Sequence, residues 1–415
     1  MLRLSFILGP TLLRLTASRA NAVRAYGSYR FFPLTRFMKF IHTSDWHLGR
    51  SLCNHSLLDD QAYVLDQIVH YAQHHQADAL VIAGDVYDRA IPPAAAVTLL
   101  NDFLNRMHVL KIPVIIIPGN HDSADRLGFA ATQLDLTGVH IIADFERMQQ
   151  PVTISSTTGT LHFYGIPFAD PEPVRLFSQQ DIGSYEDAHR YLISRIRQNM
   201  PEEGAHVLIS HCFLAGSQES ESERPLTVGG SDQVSASLFD GFSYVALGHI
   251  HGPQAFREGR IRYSGSPLKY SFSEEKHSKG VLLVEIDGAG KATSTALPLK
   301  PMHDVRSIQG KLNDLIEAAA SDPHSEDYLL ARLTDEHAIL DPMSKLREVY
   351  PNLLQMEKPR FYQDDNQPIM SASRLRRDEF SLFSDFFEQV SGQSMTATQQ
   401  AAMRQVIEHV LKSEA

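Results

Sequence analysis

The sequence predicts an α/β protein with a parallel central sheet. Short apolar runs alternate with amphipathic helical patterns from residue 39 to about residue 142. In the helical stretches apolar residues recur every three or four positions, which is the spacing of one buried helix face. Because strands that alternate with helices form βαβ units, we expect the strands of this region to be parallel.

Five elements make up this first region. Strands are predicted at Phe40–Ile41, Ala79–Ala83 and Val114–Ile117, with helices at Leu58–His75 and Ala94–His108 between them. Each helix carries one apolar face, which we expect to pack against the sheet.

The middle of the chain continues the α/β pattern, with a helix at residues 186–197 and strands at residues 152–154, 161–164, 207–209 and 244–247. Three later strands, Ile261–Tyr263, Gly280–Ile286 and Thr293–Pro298, are expected to form a meander that closes a second sheet. A loop rich in Ser, Glu and Gly lies between Leu214 and Val234.

The pattern changes after Pro301 to a small α/β unit. Its strands are predicted at residues 305–308, 328–333 and 353–356, and its helices at residues 311–319 and 342–350. From Asp378 the chain is predicted to be helical to its end, with a break at Gly392 and a capping box formed by Thr396 and Gln399. Two apolar stripes run along this segment, one from Phe380 to Val390 and one from residue 403 to residue 411.

The charge of the chain argues against tight nucleic-acid binding without a partner. The formal net charge is −11, and residues 1–37 hold six arginines and no acidic residue, so the remainder has 32 basic and 49 acidic residues. A nucleic-acid-binding domain usually carries the opposite sign. Bound dications or a partner subunit can still supply positive charge locally, so DNA chemistry is not excluded.

Residues 1–37 are unlike the rest of the chain. They form a basic leader with a short apolar stretch that Arg14 interrupts, well below the ~20 residues of a membrane helix. One interpretation is a transit-type segment. The other is that Met38 is the working start, because it opens directly into a core strand. In both cases the leader is predicted not to belong to the fold.

Cysteine usage favours a reducing compartment. Only Cys53 and Cys212 occur, far apart and without a CxxC pair, so the sequence indicates neither a disulfide framework nor a thiolate zinc site. We therefore predict a cytoplasmic location without a membrane association.

Five short polar motifs follow directly on predicted strands. They are Asp45-Trp46-His47, Gly84-Asp85-Val86-Tyr87-Asp88, Gly119-Asn120-His121-Asp122, Ser210-His211 and Gly248-His249-Ile250-His251. In sheets of this type the carboxyl ends of neighbouring strands face one crevice. Side chains from distant parts of the chain are therefore expected to converge there.

The residue types and spacing in these motifs predict a metal centre. Residues i and i+2 of an extended segment point to the same side, so Asp45 with His47, and His249 with His251, can each present two ligands. Oxygen and imidazole donors without thiolate suit Mn²⁺, Fe²⁺ or Mg²⁺ better than a structural zinc site. Seven donors exceed the capacity of one ion, so two ions that share a carboxylate are predicted. The seven are Asp45, His47, Asp85, Asn120, His211, His249 and His251.

These motifs resemble those of the calcineurin-like metallophosphoesterases and, more narrowly, of the SbcD family of bacterial nuclease subunits, relatives of the Mre-eleven nucleases. The resemblance runs from Lys39 to the C-terminus. It includes the segments Ile41–Gly49, Gly248–Gln254 and Arg262–Pro267, and the stretch LTVGGSDQV over Leu226–Val234.

The resemblance implies a four-layer α-β-β-α metallophosphoesterase sandwich over residues 38–300. It further implies a small α/β capping domain over residues 301–372 and C-terminal helices over residues 373–415, which would bind the coiled-coil base of an SbcC-type ATPase. The apolar stripes of these helices could instead pack on their own domain.

The resemblance also implies roles for single residues. Asp45, His47, Asp85 and His251 would hold one ion, most suitably Mn²⁺, and Asp85 would bridge to a second ion held by Asn120, His211 and His249. His121 is the expected transition-state and leaving-group residue, with Asp122 orienting its ring. In archaeal relatives a second histidine follows the bridging aspartate by three positions. Here that place is Asp88, which we list only as a supporting residue.

The predicted function is a metal-dependent DNA nuclease. The resemblance implies 3′–5′ exonuclease activity on double strands and endonuclease activity on single strands and hairpins, in DNA end processing, replication, recombination and repair. It also implies a homodimer within a heterotetramer. One alternative is a phosphatase or cyclic-nucleotide phosphodiesterase that acts on small substrates. A second alternative, a non-catalytic scaffold, is disfavoured because all seven ligands and His121 are present.

Overall fold

The computed structural model describes residues 37–223, 232–335, 339–357 and 393–413, and residues 380, 381, 383, 384, 387 and 388. The predicted leader falls outside the described residues except for residue 37. The same applies to residues 226–231 of the LTVGGSDQV stretch, to five of the eleven residues of the predicted stripe from Phe380 to Val390, and to the break at Gly392.

All thirteen predicted strands are confirmed, and six further strands of two or three residues within the described ranges were not predicted. In chain order they are β1 (Met38–Thr43), β2 (Ser51–Leu52), β3 (His55–Ser56), β4 (Ala79–Ala83), β5 (Val114–Ile117), β6 (Val139–Ile141), β7 (Val152–Ser156), β8 (Gly159–Ile166), β9 (Ala205–His211), β10 (Phe213–Leu214), β11 (Gln233–Val234), β12 (Tyr244–Gly248), β13 (Gln254–Phe256), β14 (Ile261–Tyr263), β15 (Gly280–Ile286), β16 (Ala292–Pro298), β17 (Val305–Gly310), β18 (Tyr328–Leu333) and β19 (Leu353–Glu357).

Nine helices lie between or after these strands in the described part of the chain. They are α1 (Leu58–His74), α2 (Ala94–Leu110), α3 (Ala124–Leu127), α4 (Ala131–Asp135), α5 (Pro171–Ser178), α6 (Tyr185–Arg197), α7 (Leu312–Ala319), α8 (Pro342–Arg347) and α9 (Ala397–Ser413). Within the part of the chain described above, no helix is both long and apolar enough to cross a membrane.

Two six-stranded sheets form the body of the protein. The first has the order β16-β15-β1-β4-β5-β6, in which β1, β4, β5 and β6 are parallel. The second has the order β13-β14-β12-β9-β8-β7, in which β14, β12, β9 and β8 are parallel. The prediction of a parallel central sheet is confirmed, and the second sheet has a parallel centre as well.

The alternation of side chains along β1 shows how the layers stack. Phe40 packs between the sheets, where its ring meets Phe163 of β8 and Tyr244 of β12 edge-on at 5.2 and 5.7 Å. The next residue, Ile41, faces the opposite way, into a core shared with α1 and α2. Residues of α6 cover the outer face of the second sheet. Burying an aromatic or branched side chain of this size stabilises the fold by roughly 1.5–3 kcal/mol. The layers follow one another in the order α-β-β-α, which is the predicted four-layer fold.

One predicted connection is wrong. The strands at Ile261–Tyr263, Gly280–Ile286 and Thr293–Pro298 were expected to form one meander, but only the first of them joins the second sheet, beside β12. β15 returns to the first sheet and pairs antiparallel with β1, and β16 pairs antiparallel with β15. Apolar alternation marked these segments as strands, but it does not say which sheet edge accepts them.

Residues 305–335 and 339–357 form the predicted small α/β unit, with three parallel strands in the order β17-β18-β19. Its own core includes Leu315 of α7 and Leu346 of α8. The buried carboxylate of Asp60 in α1 joins this unit to the larger one, because it accepts hydrogen bonds from Tyr328 Oη at 2.7 Å and from the backbone of His303 at 3.0 Å.

The N-terminus of α9 confirms the predicted capping box. The backbone N–H of Thr396 donates to Gln399 Oε1 at 2.9 Å, and the backbone N–H of Gln399 donates back to Thr396 Oγ1 at 3.4 Å. Val406, predicted to lie in an apolar stripe of this helix, is 53% exposed.

Candidate metal centre

The five motifs lie where the parallel strands of the two sheets end. Asp45, Asp85 and Asn120 follow β1, β4 and β5, which are neighbours in the first sheet. In the second sheet His211 is the last residue of β9, and His249 follows the adjacent β12. The parallel direction of these strands therefore carries all five motifs to the same end of the sandwich.

The backbone turns sharply at four of the predicted ligands. Asp45, His47, Asp85 and His249 have φ angles of 55°, 46°, 50° and 105°, in the left-handed region that side chains other than glycine rarely adopt. Such residues cost roughly 1–3 kcal/mol each and concentrate at functional sites. Two backbone hydrogen bonds join the loop after β1 to the loop after β4. Asp45 N–H donates to Gly84 O at 3.0 Å, and His47 N–H donates to Asp85 O at 2.9 Å.

Two glycines let the backbone approach the site closely. A Cβ at Gly84 would lie 2.3 Å from Nδ1 of His211, and the φ angle of Gly84 is +89°. A Cβ at Gly248 would lie 1.9 Å from the carbonyl oxygen of Ala83. The absence of a side chain at these positions is thus a requirement for bringing the two sheets together at the site.

The donor atoms form one compact cluster. His47 Nε2 lies 3.1 Å from His251 Nε2 and 3.5 Å from Asp85 Oδ2. On the other side of Asp85, His211 Nε2 lies 3.5 Å from the same carboxylate oxygen and 2.9 Å from Asn120 Oδ1. Asp85 therefore stands between two groups of donors, as the bridging position requires.

Among the described residues, three groups bring His or carboxylate donor atoms within 4.8 Å of one another. They are Asp45 with His47 and His251, Asp45 with Asp85 and His211, and His47 with Asp88 and His121. His249 belongs to none of these groups, but its ring lies 5.4 Å from that of His211 between centroids. Its backbone N–H donates to Asp45 Oδ1 at 3.0 Å.

The cluster fits a divalent cation. Asp45, His47, Asp85, His211, His249 and His251 are each at most 2% exposed. Nε2 of His249 is buried without a hydrogen-bond partner; a buried polar atom of this kind is costly unless something binds it. Oxygen and imidazole donors with no thiolate match the ligand preference of Mn²⁺ and related ions.

Burial and neighbouring charges set the protonation states of the predicted ligands. Burial lowers the pKa of His47 and of His249 to about 3, which keeps both rings neutral with a lone pair available. Burial likewise disfavours a charge on His211 and on Asp85, but their mutual attraction outweighs it: it raises the pKa of His211 to about 9 and holds that of Asp85 well below its ordinary value. A cation bound at Asp85 would take the place of the His211 proton.

His121 lies beside the cluster, and one part of its predicted environment is corrected. Its ring meets that of His47 edge-on at 4.7 Å, and its Nδ1–H donates to the backbone carbonyl of Asp88 at 2.8 Å. Asp122 was expected to orient this ring. Its carboxylate instead accepts from three backbone N–H groups, those of Val86, Tyr87 and Gly119, at 2.9–3.0 Å. Asp122 therefore joins the second and third motifs, and the backbone of Asp88 orients the ring.

The side chain of Asp88 supports the first motif. Its Oδ1 lies 3.5 Å from His47 Nδ1, an electrostatic contact too long for a good hydrogen bond. The same oxygen accepts from Arg50 at 3.3 Å, and the Arg50 guanidinium lies 5.1 Å from the centre of the Tyr270 ring. Asp88 thus balances the charge of Arg50 next to His47, which is one of the predicted ligands.

Comparison with known proteins agrees with this geometry. Residues 38–253 match the family described as calcineurin-like phosphoesterase, and residues 301–391 match the type 5 capsule protein repressor C-terminal domain. The D subunit of the nuclease SbcCD from Staphylococcus saprophyticus is 34% identical over 377 residues, which cover 90% of this chain and 99% of that protein. The chain belongs to the SbcD family. Both the predicted family and the predicted activity of a metal-dependent phosphodiester hydrolase are confirmed.

Solved structures show weaker similarity. The protein TT1561 of Thermus thermophilus has 14% sequence identity and a TM-score of 0.37, with coverage of 63% of this chain and 99% of that one. A dimetal phosphatase from Danio rerio has 12% identity and a TM-score of 0.34, with coverage of 62% and 98%.

Several residues that support the site were missed by the sequence analysis. Gln61 of α1 donates its amide to the carbonyls of Trp46 and His47 at 3.1 and 2.8 Å, and it accepts from Gly49 N at 3.0 Å. A polar residue within the apolar stripe of α1 was a signal that could have found it. Ser222 and Glu274, which contact His251, lie in a loop and at the end of a three-residue 3₁₀ helix, where no spacing marks them.

Proposed function

We propose that this member of the SbcD family is the nuclease component of an ATPase–nuclease complex and hydrolyses DNA phosphodiesters with two divalent ions, Mn²⁺ in both positions. The buried cluster around Asp85, with His121 beside it, carries the proposal. It offers donors on both sides of one carboxylate, together with a group that can transfer a proton.

The proposed ligand sets share Asp85. Asp45, His47 and His251 would complete the first site, and Asn120, His211 and His249 the second. When bound, a pair of ions lowers the pKa of a water molecule, polarises the phosphate and stabilises the charge that develops on it.

The chain's own residues would position the catalytic histidine and protonate the leaving group. The hydrogen bond from His121 Nδ1–H to the Asp88 carbonyl fixes the ring and leaves Nε2 as the atom that takes up or releases a proton. A proton given from Nε2 to the departing DNA oxygen is a general-acid step, which typically contributes ~10²–10⁴-fold. The hydrogen bonds of Asp122 to backbone N–H groups keep the motif of His121 aligned with that of Asp85.

Substrate and partners follow from the family and from the charge. The SbcD relative is named as part of a nuclease complex, and the net charge of −11 leaves this chain without a strong attraction for DNA of its own. We propose that an SbcC-type ATPase binds residues 373–415 and supplies DNA affinity, in a heterotetramer built on a homodimer of this chain. The capping domain of residues 301–372 would limit access to the cluster. The expected setting is cytoplasmic DNA recombination, replication and repair.

The deciding experiment measures cleavage of DNA hairpins and of free-ended duplexes with Mn²⁺, with and without the ATPase partner and ATP. Bis(p-nitrophenyl) phosphate serves as the small substrate, and His121→Ala as the matched inactive variant. We expect 3′–5′ exonuclease activity on duplexes and endonuclease activity on hairpins, both increased by the partner. Turnover of the small diester without any DNA cleavage in the presence of the partner would contradict the proposal and favour a small-molecule phosphodiesterase.

A further inference from the structure

A fully buried ion pair lies behind His251, outside the proposed ligand sets. The side chain of Glu274 is inaccessible to solvent, and Lys279 is 8% exposed. Lys279 Nζ donates to Glu274 Oε2, to the backbone carbonyl of His251 at 2.8 Å and to Ser266 Oγ at 2.8 Å. Buried charges are kept only where they are paired and hydrogen-bonded, and this pair meets that condition.

A serine connects this carboxylate to the imidazole of His251. Ser222 Oγ lies 2.6 Å from His251 Nδ1 and donates its proton to Glu274 Oε1. The same carboxylate oxygen accepts from the backbone N–H of Tyr270 at 3.2 Å and lies 3.5 Å from His251 Nδ1. Ser222, the Tyr270 N–H and Lys279 therefore all donate to the carboxylate of Glu274, and His251 lies beside it.

The direction of these hydrogen bonds defines the tautomer of His251. An ionised carboxylate accepts only, so the hydroxyl proton of Ser222 must point to Glu274. Ser222 Oγ must then accept from His251, which places a hydrogen on Nδ1 of the neutral ring. Nε2 is left with its lone pair, and this is the atom that lies 3.1 Å from Nε2 of His47 inside the donor cluster.

The backbone of His251 is held as firmly as its ring. Its N–H donates to Glu223 Oε1 at 2.8 Å, and its carbonyl accepts from Lys279. Two other histidines of the cluster are held less firmly: Nδ1–H of His211 donates to the neutral carbonyl of Ala83 at 2.9 Å, and Nδ1 of His47 makes no hydrogen bond.

We propose that Glu274 is a positioning residue that acts through Ser222 to fix the tautomer and orientation of His251 for metal binding. The inference rests on the proposed metal site and adds to it a residue that touches neither metal nor substrate. Loss of a group that orients a ligating histidine typically weakens metal affinity 10–100-fold, because the imidazole becomes a poorer donor and gains rotational freedom.

We call the chain of contacts from Glu274 through Ser222 to His251 the relay. Four variants of the full-length chain test it, with Mn²⁺ titrated calorimetrically into protein freed of metal by a chelator. Ser222→Ala removes only the hydroxyl and should weaken binding of one Mn²⁺ ~10-fold, whereas Ser222→Thr keeps the hydroxyl and should restore affinity to within about threefold of the unaltered chain. Glu274→Gln should weaken binding ~10–100-fold. Glu275→Gln, the same substitution one residue away on a partly exposed side chain, should change nothing.

The outcomes separate this inference from the proposed function. Glu274→Gln leaves Lys279 without its counter-charge; if that variant fails to fold, as circular dichroism would show, Ser222→Ala decides alone. Unchanged Mn²⁺ affinity in folded Ser222→Ala, or a loss that Ser222→Thr does not restore, would overturn the relay and leave the proposed function intact. Failure of the unaltered chain to bind Mn²⁺ at all would overturn both.

Discussion

The backbone N–H of His121 donates to Oδ1 of Asp85 across 2.9 Å. The residue proposed to transfer a proton is therefore attached to the carboxylate proposed to bridge the ions. The other oxygen, Oδ2, remains directed at His47 and His211, 3.5 Å from each. One carboxylate thus sets the position of the metal donors and of the acid–base residue relative to each other.

His121→Ala separates proton transfer from metal binding. We expect cleavage of DNA to fall at least ~10²–10⁴-fold, because the leaving oxygen loses its proton donor. Mn²⁺ affinity, measured by calorimetry, should stay within about threefold, since the ring is not among the proposed ligands and the backbone N–H is kept. His74→Ala, at an exposed position of α1, is the matched control. Normal cleavage by the His121 variant would refute the assigned role.

Asp85→Ala should abolish metal binding and cleavage together. The substitution removes the carboxylate oxygen that faces both His47 and His211, so neither proposed site keeps its full ligand set. In the unaltered chain Mn²⁺ at ~100 times Kd should stabilise the folded state by about 2.7 kcal/mol, and this stabilisation should disappear in the variant. Thermal unfolding with and without Mn²⁺ measures it, with Asp59→Ala as control. A metal-dependent rise in Tm that survives in Asp85→Ala would show that the bridging assignment is wrong.

Gly84→Ala tests the close approach of the two sheets. The added Cβ would lie 2.3 Å from Nδ1 of His211, at a φ of +89°. We expect a loss of about 2 kcal/mol or more in the free energy of unfolding, together with weaker Mn²⁺ binding, because the backbone must shift where His211 and Asp85 meet. In Gly183→Ala the new Cβ would find no atom within 4 Å, so its stability should change little. Equal urea midpoints for the two variants would contradict the argument.

The strand ends, and hence the convergence of the five motifs, could be predicted from the sequence because both depend on local patterns. Apolar runs mark β1, β4, β5, β9 and β12, and the polar motif after each run needs only the parallel rule to converge. The return of β15 to β1 could not be predicted, since any exposed strand edge could accept it. The role of Asp122 was misjudged for a related reason. Its three partners are backbone N–H groups, and a sequence motif does not show which backbone groups a carboxylate will contact. Glu274 acts through contacts between loops that only the tertiary structure brings together.

Gln61 connects the packing of α1 to the position of His47. Its side chain is 1% exposed, donates to the carbonyls of Trp46 and His47, and accepts from Gly49 N. Gln61→Leu keeps the apolar packing but leaves these buried backbone groups unpaired, which costs about 1–3 kcal/mol for an unsatisfied group.

Because the turn at His47 has a φ of 46° and depends on such bonds, we expect the variant to lose Mn²⁺ affinity as well as stability. Gln73→Leu, an exposed position on the same helix, controls for the substitution itself. Calorimetric titration should show weaker Mn²⁺ binding, and urea unfolding a lower stability, for Gln61→Leu than for Gln73→Leu. If Gln61→Leu lost stability but bound Mn²⁺ normally, the turn would be held by the hydrogen bonds between the first two motifs, and Gln61 would contribute to the core alone.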